Sequence, residues 1–516
     1  MSSSVRTGSP VWDLVVDRAE ATPDGQMATD EHGRSLTFAG FREAVQRSAA
    51  GFAALGVGQG AVVSWQLPSR IETMVATCAL ALLGAVQNPI IMSLREPDLE
   101  FVCRQVGTDL LLVPTTFRGY GHAEAAHAIA GRTPGLRVLV VDDDLPTGSG
   151  AAPVVAPAGP EPVRWVFYTS GTTSEPKGAR HTDAGLFAAA RTYTEHIRPL
   201  PEDRIAALAP IAHVGGVLHV LVSLLSGAAL VLTEVFEPAS TARQLREAGM
   251  TYGGNGTPFV QAFLRLQRER PGEPLFPDLK AFLIGGAPRP AGLHGEVRAE
   301  LGGAGIASGY GLTECPFFAW AAPDDGDAVM ATTEGRPGPG GQTLIVRPDG
   351  TAAAPGEEGE LRIRAPQLTV GYVDPALDAE AFDEQGYFRT GDLAVLGTDG
   401  TLTITGRIKD VIIRNMENVS APEVENHLAT LPGLRDWTVV GVPDPVTGER
   451  VCAVVVPEDP AAAPTLSEVC AHLTARGLNT RKLPERLEVL DVLPRNAMGK
   501  VGKAALVRRM TGEGER

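Results

Sequence analysis

A short run at residues 167–182, FYTSGTTSEPKGARHT, combines hydroxyl side chains, glycines and one lysine. It directly follows an apolar, strand-like segment at residues 163–167. The backbone N–H groups and hydroxyls of such a loop can surround an anion, and a lysine adds positive charge for phosphate. The Walker A pattern needs a glycine before the lysine, whereas here Pro176 precedes Lys177. The run predicts either another kind of phosphate-binding loop or a polar loop without a ligand.

Lysine is scarce in this chain, which favours a specific use for each one. Of 45 basic residues only six are lysines. They are Lys177, Lys280, Lys409, Lys482, Lys500 and Lys503. A compact ammonium can lie close to one phosphate oxygen, where a planar guanidinium fits less well. Lysines in polar, glycine-rich segments are therefore candidate phosphate ligands.

The composition excludes several classes of protein. The 516 residues carry a net charge of −16, which argues against a general binder of nucleic acids or anionic membranes. The five scattered cysteines form no CxxC pair, so neither a disulfide framework nor a cysteine metal site is expected. The start of the chain lacks the features of a signal peptide, and the longest apolar run, residues 75–86, is too short to span a bilayer. We expect a cytoplasmic protein.

The elements that must position these groups alternate between two hydrophobic periods. Helix-like spacing occupies residues 41–55 and 72–83, and residues 61–66 look like a strand. Short apolar runs bounded by turn residues recur at 110–113, 138–141, 204–208, 219–225, 229–232 and 281–284. Such runs are typical of buried parallel strands. The alternation predicts an α/β fold with parallel sheets.

Two changes along the chain suggest a domain organisation. Residues 144–162 are rich in proline, glycine and alanine and indicate a loop or linker. Residues 324–407 contain short strands with turn signals, which indicate a β-rich subdomain. We therefore expect a large N-terminal domain, residues 1–407, and a small C-terminal α+β domain, residues 408–516.

Six segments together carry a resemblance to a known family. They are the loop at 168–178, PIAH at 210–213, GYGLTE at 309–314, YFRTGDL at 387–393, GRIKD at 406–410 and LPRNAMGK at 493–500. Their order and approximate spacing resemble the adenylate-forming superfamily, which includes acyl-CoA synthetases, non-ribosomal adenylation domains and beetle luciferases. The resemblance covers about residues 36–505.

The resemblance implies a two-step reaction. In this family a carboxylate attacks the α-phosphate of ATP, giving an acyl-adenylate and pyrophosphate, and a thiol then displaces AMP. It implies ATP/AMP, Mg²⁺ and coenzyme A as cofactors and a carboxylic acid as substrate. Negative charge builds on oxygen atoms in both steps, so the site needs fixed donors and cations more than a protein nucleophile.

The resemblance also assigns nucleotide ligands. The β- and γ-phosphates would be held by Thr169, Ser170, Gly171, Thr172, Thr173 and Lys177. Tyr310 would stack on adenine, while Asp392 and Arg407 would bind the ribose hydroxyls. Taken alone, Tyr310 could be a packed aromatic residue and Asp392 a turn cap.

The remaining roles concern catalysis and domain movement. Thr313 would bind the α-phosphate, Glu314 with Thr172 would hold Mg²⁺, and Lys500 would lie between the substrate carboxylate and the α-phosphate. Lys409 matches the hinge about which the C-terminal domain rotates, although a solvated turn lysine is an open alternative. His213 would gate the acyl pocket, although a lone histidine is usually structural.

Small residues are expected to line the pocket. The resemblance places Gly285, Gly286, Ala287, Gly309 and Gly311 beside the nucleotide and the acyl group. Small side chains leave volume, which favours a bulky, hydrophobic acid over acetate or an amino acid.

Three positions depart from the family pattern. Ser174 replaces a glycine of the phosphate loop, Asp183 stands where relatives often have histidine, and Met416 replaces a glycine near the hinge. A Cβ at position 174 and a carboxylate near the triphosphate would both weaken ATP binding. Met416 could narrow the tunnel for the thiol arm of coenzyme A.

The sequence therefore predicts an acid–CoA ligase, with two alternatives. One is a member with weak or lost adenylation, which transfers an acyl-adenylate supplied by a partner enzyme to coenzyme A. The other is an adenylating enzyme that loads a separate carrier protein, since no carrier segment follows Lys503.

Overall fold

The computed structural model describes residues 9–149, 162–169, 176–254, 256–286, 289–290, 292–414, 417–445, 447–495 and 501–511. Its α-helices are α1 (Pro10–Ala21), α2 (Phe38–Ala54), α3 (Ile71–Leu82), α4 (Glu96–Val106), α5 (His122–Arg132), α6 (Asp183–Ile197), α7 (Val214–Ser226), α8 (Pro238–Glu247), α9 (Thr257–Glu269), α10 (Leu293–Glu300), α11 (Asp327–Thr332), α12 (Asp378–Ala381), α13 (Ala421–Leu428), α14 (Leu466–Ala475) and α15 (Lys503–Thr511).

The strands occupy the segments between these helices. They are β1 (Gln26–Thr29), β2 (Ser35–Thr37), β3 (Val62–Trp65), β4 (Val86–Pro89), β5 (Leu110–Val113), β6 (Arg137–Val140), β7 (Val163–Thr169), β8 (Lys177–Thr182), β9 (Arg204–Ala207), β10 (Ala229–Leu232), β11 (Tyr252–Gly254), β12 (Ala281–Gly285), β13 (Ile306–Leu312), β14 (Cys315–Trp320), β15 (Arg336–Pro337), β16 (Gln342–Val346), β17 (Glu358–Arg364), β18 (Phe388–Leu396), β19 (Leu402–Arg407), β20 (Val411–Arg414), β21 (Glu417–Ser420), β22 (Leu434–Asp444), β23 (Gly448–Pro457) and β24 (Arg486–Val489).

Two large sheets with parallel centres form most of the protein. One has nine strands in the order β15-β14-β13-β12-β11-β9-β10-β1-β2. In this sheet the six neighbouring strands β13, β12, β11, β9, β10 and β1 are parallel. The other has six strands in the order β6-β5-β3-β4-β7-β8, parallel except for the β7–β8 hairpin. Helices cover these sheets, and the α/β architecture predicted from the alternating periods is confirmed.

Two elements differ from the sequence-based predictions, one in its starting residue and one in its type. Helix α2 begins at Phe38, ahead of the predicted start, because the Thr37 hydroxyl accepts a hydrogen bond from the Gly40 N–H at 3.1 Å. The apolar run 219–225, grouped with the strand-like runs, lies inside α7. That helix is buried on nearly all sides, so its hydrophobic pattern has no period that distinguishes it from a strand. No helix in the described ranges is long and apolar enough to cross a bilayer.

The parallel strands of the nine-stranded sheet end along one edge, and the predicted site residues follow them there. His213 comes after β9, Gly286 after β12, and Thr313 and Glu314 lie in the turn between β13 and β14. Since the carboxyl ends of parallel strands meet at one edge of a sheet, these residues are brought to a common region.

Two smaller sheets complete the fold. The four-stranded antiparallel sheet has the order β16-β17-β18-β19, and the five-stranded sheet contains β20 to β24. The chain passes from the first to the second through a single 3₁₀ turn, Ile408–Asp410. A smaller C-terminal unit follows this turn, as predicted for the fold, while the proposed boundary between residues 407 and 408 stays a prediction.

Candidate active site

Asp392 is buried and lies at the centre of a hydrogen-bonded group with buried Tyr310 and exposed Arg407. It is opposite Arg407 in the β18–β19 ladder, and its Oδ1 accepts a hydrogen bond from Arg407 Nε at 2.6 Å. Its Oδ2 accepts a second bond from the Tyr310 hydroxyl, also at 2.6 Å. Burial holds the pKa of Tyr310 well above its usual value, so this phenol remains a donor. An anchored carboxylate of this kind can still accept bonds from two neighbouring hydroxyls.

Glu314 is the second buried carboxyl group of the region. Its Oε1 accepts a hydrogen bond from the Tyr372 hydroxyl at 2.6 Å, and its backbone carbonyl accepts one from the Thr369 N–H at 2.6 Å. Burial raises the pKa of Glu314, and the charges of Lys177 and Arg407 oppose that rise. Mg²⁺ in nucleotide sites is usually bound by one or two carboxylates together with phosphates, and Glu314 fits that requirement chemically.

Lys177 begins β8, and its ammonium lies beside the same tyrosine. The β7–β8 hairpin pairs Thr169 with Lys177, so the predicted phosphate loop connects these two residues. The Lys177 Nζ lies 5.9 Å from the centre of the Tyr372 ring. Among the described residues, no carboxylate lies within ion-pair distance of this ammonium. The Lys177 ammonium thus lies near the face of an aromatic ring.

Thr313 is fixed through its backbone. Its carbonyl oxygen accepts a hydrogen bond from Nε2 of His181 at 2.9 Å. Burial lowers the pKa of His181 to about 4, so the imidazole is neutral at physiological pH and carries its proton on Nε2. Nδ1 of His181 is buried without a hydrogen-bond partner among the described residues. His181 therefore joins strand β8 to the Thr313–Glu314 turn.

Tyr372 and His181 were not identified from the sequence. Tyr372 follows Gly371 in a segment without regular period, and His181 lies on a strand next to polar residues. His181 lies at the end of the run 167–182, but the phosphate-binding pattern was assigned to residues 169–177, and no local spacing points to the partner of His181 or of Tyr372. Both residues become evident only from contacts between distant parts of the chain.

His213 caps helix α7. Its Nδ1 accepts a hydrogen bond from the Gly215 N–H at 3.2 Å, which is the bond that an N-cap residue supplies. Half-buried Phe317 lies nearby, since a Cβ built on Gly215 would be 3.9 Å from its ring. The cap gives His213 a structural role, and its predicted role as a gate of the acyl pocket stays a prediction.

Comparison with known proteins identifies the family. The sequence profile of the AMP-binding enzymes matches residues 15–373. The profile of the AMP-binding enzyme C-terminal domain matches residues 423–500. This chain belongs to the AMP-binding enzyme family.

Proteins with known names can be aligned with nearly the whole length of this AMP-binding enzyme. The medium-chain fatty-acid–CoA ligase of Escherichia coli (strain K12) is 31% identical over 512 residues, which cover 96% of this chain and 90% of that protein. The salicyl-AMP ligase / salicyl-S-ArCP synthetase of Mycobacterium tuberculosis (strain H37Rv) is 29% identical and covers 98% of this chain and 91% of its own length. The o-succinylbenzoate coenzyme A synthetase of Bacillus subtilis, solved with ATP and a magnesium ion, has a TM-score of 0.82 at 26% identity and covers 96% of this chain and 98% of its own.

Three of the four glycines predicted to line the pocket and described by the structure of this AMP-binding enzyme pack closely against other parts of the protein. A Cβ on Gly309 would lie 2.5 Å from the Trp320 ring, and one on Gly311 would lie 2.7 Å from the Phe317 nitrogen. A Cβ on Gly285 would lie 2.9 Å from the Gly309 carbonyl oxygen. Gly286 differs, because it has φ +75° and a Cβ at this position would have no described atom within 4 Å. The glycine content by itself therefore does not measure room for a bulky acid, and the expectation of a bulky substrate stays a prediction.

Asp183 does not face the phosphate loop. The β7–β8 hairpin pairs Val163 with Thr182 at the end opposite the Thr169–Lys177 pair. At about 3.3 Å per residue, Asp183 lies roughly 20 Å along the strand from Lys177. Its buried carboxylate accepts a hydrogen bond from the Trp165 indole at 2.7 Å. The expectation that this carboxylate repels the triphosphate is wrong, because the hairpin directs it into the core.

The other predicted residues are placed as follows. Lys409 lies in the 3₁₀ turn between two sheets, where a hinge is expected. Several predicted residues lie outside the described residues, namely Ser170, Gly171, Thr172, Thr173, Ser174, Ala287, Met416 and Lys500. Their roles stay predictions.

Proposed function

We propose that this protein is an AMP-forming acid–CoA ligase acting on a hydrophobic carboxylic acid. A substrate carboxylate oxygen attacks the α-phosphorus of ATP, and the bond to the β-phosphate oxygen breaks, releasing pyrophosphate. The thiolate sulfur of coenzyme A then attacks the acyl carbon, and AMP leaves with the electron pair. The observation that carries this proposal is the anchored Asp392, bonded to Tyr310 and Arg407, in a chain of the AMP-binding enzyme family.

The nucleoside would be bound around this carboxylate. Asp392 would accept the ribose hydroxyls, Arg407 would donate to the ribose from the neighbouring strand, and the Tyr310 ring would contact adenine. The pairing of β18 with β19 fixes the carboxylate and the guanidinium before the ligand binds, which reduces the entropy lost on binding.

The triphosphate would be bound between the start of β8 and the turn that joins β13 to β14. Lys177 would contact the β- and γ-phosphates together with Thr169, Ser170, Gly171, Thr172 and Thr173. Thr313 would donate to the α-phosphate, and Lys500 would stabilise charge during the attack. Glu314, with Thr172, would hold Mg²⁺, which neutralises charge on the phosphates when bound.

The acid would lie near His213 and half-buried Phe317. Ile211, Ala212 and Val214 flank His213 and are buried and apolar, which supports a hydrophobic acyl group. The two similar ligases are named for a medium-chain fatty acid and for salicylate, and both of these acids carry an apolar body. Fatty and aromatic acids are therefore the substrate classes to test first.

Transfer to coenzyme A would need the C-terminal domain to rotate about Lys409. The one-turn linker Ile408–Asp410 supports this role, because a short turn between two sheets can absorb a change in backbone angles. Rotation would remove Lys500 after adenylation and open a path for the thiol arm.

A carrier protein is the alternative acceptor. The similarity to a salicyl-AMP ligase / salicyl-S-ArCP synthetase favours this candidate. The other alternative, a member with weak adenylation that depends on a supplied acyl-adenylate, now rests on Ser174 alone, because Asp183 points into the core.

A panel of fatty and aromatic acids tests the proposal. Each acid is mixed with protein, Mg²⁺-ATP and coenzyme A, and both AMP and acyl-CoA are measured. We expect AMP release only with an accepted acid, and an equal amount of acyl-CoA. Adenylate formation that needs a carrier protein for thioester formation would favour the carrier alternative. Absence of AMP with every acid, together with thioester formation from synthetic acyl-adenylates, would favour the member with weak adenylation.

A further inference from the structure

Tyr372 contacts both charged groups of the proposed triphosphate site. Its hydroxyl donates to Glu314 Oε1 at 2.6 Å, and its ring centre lies 5.9 Å from Lys177 Nζ. The side chain is almost completely buried, with 4% of its surface exposed. One rigid side chain thus lies between a carboxylate from the β13–β14 turn and an ammonium from β8.

The backbone around Tyr372 is held at the same strand that carries Lys177. Ala179 forms an antiparallel bridge with Tyr372, and the Val373 N–H donates to the Gly178 carbonyl at 2.8 Å. The Tyr372 N–H donates to Asp378 Oδ1 at 2.8 Å. These bonds leave the tyrosine little freedom to follow a moving glutamate.

We propose that Tyr372 is a positioning residue, which holds the Glu314 carboxylate and the Lys177 ammonium in the orientation that Mg²⁺-ATP requires. The inference rests on the proposed function for the roles of Glu314 and Lys177. The hydroxyl fixes the side-chain rotamer of Glu314 by a charge-assisted hydrogen bond. The negative face of the ring attracts the ammonium without neutralising it, as a carboxylate would.

The two contacts can be separated by substitution. Tyr372→Phe keeps the ring beside Lys177 and removes only the bond to Glu314. Tyr372→Leu removes both contacts. The matched control is Tyr387→Phe, because the Tyr387 hydroxyl donates to Gln342 Oε1 at 3.1 Å and its ring lies 5.0 Å from the Arg364 guanidinium.

Four quantities are measured for each variant: acid-dependent pyrophosphate exchange, thioester formation from a supplied acyl-adenylate, ATP affinity with Mg²⁺ or with EDTA, and the melting temperature. We expect Tyr372→Phe to slow exchange by about 10- to 100-fold, because a displaced carboxylate misplaces the reacting phosphate. Its ATP affinity should fall only when Mg²⁺ is present. Transfer from the supplied adenylate, which has no β- or γ-phosphate, should stay within about twofold of wild type.

Tyr372→Leu should also weaken ATP binding in EDTA by about two- to fivefold, because Lys177 loses its aromatic contact. Tyr387→Phe should match wild type in every measurement. Wild-type exchange and wild-type Mg²⁺ dependence in Tyr372→Phe would overturn the assignment, as would an equal loss of both half-reactions. If Tyr372→Leu does not fold, the Tyr372→Phe variant decides the result.

Failure of this inference is distinguishable from failure of the proposed function. If the wild type releases no AMP with any acid, the proposed function is wrong. The ratio of ATP affinities with Mg²⁺ and with EDTA still decides the role of Tyr372, since it requires no turnover. If Tyr372→Phe has the same ratio of ATP affinities as the wild type, the proposed role of Tyr372 is wrong.

Discussion

The indole N–H of Trp165 donates a 2.7 Å hydrogen bond to Oδ1 of Asp183, and both side chains are buried. Trp165 lies on β7 and Asp183 is the first residue of α6, so the bond fixes that helix on the hairpin. Burial raises the pKa of Asp183, and the Trp165 bond and the Arg164 charge oppose the rise. This carboxyl group therefore has a structural environment, at the end of the hairpin opposite the Thr169–Lys177 pair.

Asp183→Ala should reduce the stability of the fold without changing the KM for ATP. Loss of the acceptor leaves the Trp165 N–H unsatisfied in the core, which should lower the free energy of unfolding by about 1–3 kcal/mol. Asp183→Asn retains an acceptor oxygen and should cost less. Urea unfolding measures the stability, and pyrophosphate exchange should give an unchanged KM for ATP. A tenfold change in that KM would show that the carboxylate does act on the triphosphate.

Asp392→Asn should weaken nucleotide binding. The amide cannot accept hydrogen bonds on both sides as a carboxylate does, and it loses the charge that pairs with Arg407. Loss of charge-assisted hydrogen bonds should reduce AMP affinity by about 10- to 100-fold, or roughly 1.5–3 kcal/mol. Calorimetric titration with AMP measures this. Asp399→Asn is the control, since Asp399 is an exposed turn residue bonded to Thr401.

Lys500→Ala should separate the two half-reactions. In the proposed mechanism the lysine charge would be needed as pyrophosphate leaves, and domain rotation would remove it before the thiol attacks. Acid-dependent pyrophosphate exchange should be lost, whereas thioester formation from a supplied acyl-adenylate should remain near wild type. Lys482→Ala serves as a control in the same C-terminal unit, because Lys482 pairs with Glu423 at 2.6 Å. Parallel loss of both half-reactions in Lys500→Ala would contradict the assigned role.

His181 should make stability depend on pH. Its folded-state pKa of about 4 lies below the unfolded value of 6.5, so protonation favours the unfolded chain. The stabilisation is complete above pH 6.5 and is lost as the pH falls towards 4, by at most about 3 kcal/mol.

His181→Gln can still donate to the Thr313 carbonyl but cannot titrate. As the pH falls from 6.5 to 4, we expect the free energy of unfolding to decrease more for the wild type than for His181→Gln. Denaturant unfolding at several pH values measures this difference. A pH-independent difference would show that His181 does not titrate between these values.

The sequence alone determined the fold class and the main nucleotide motifs. Strand and helix periods are local properties, and the alternation of short apolar runs was enough to predict an α/β protein with parallel sheets. The segments that contain Tyr310, Asp392 and Arg407 were also evident, because each motif is contiguous. The structure brings these three residues into one hydrogen-bonded group.

Only the tertiary structure decided which way individual side chains face and what surrounds them. The packing of α6 against β7 places Asp183 in the core beside Trp165, and a sequence does not show this contact. Gly309 leaves space that the Trp320 ring fills, so glycine content says nothing about a cavity until the neighbours are placed.

The bond between Tyr372 and Glu314 joins segments 58 residues apart. Such a contact depends on how a loop pairs with the edge of β8, which no local pattern encodes. The segments that carry the candidate site residues could therefore be predicted from contiguous motifs. The residues that hold those motifs in place required the folded chain, because long-range contacts arise only when strands and loops take their register.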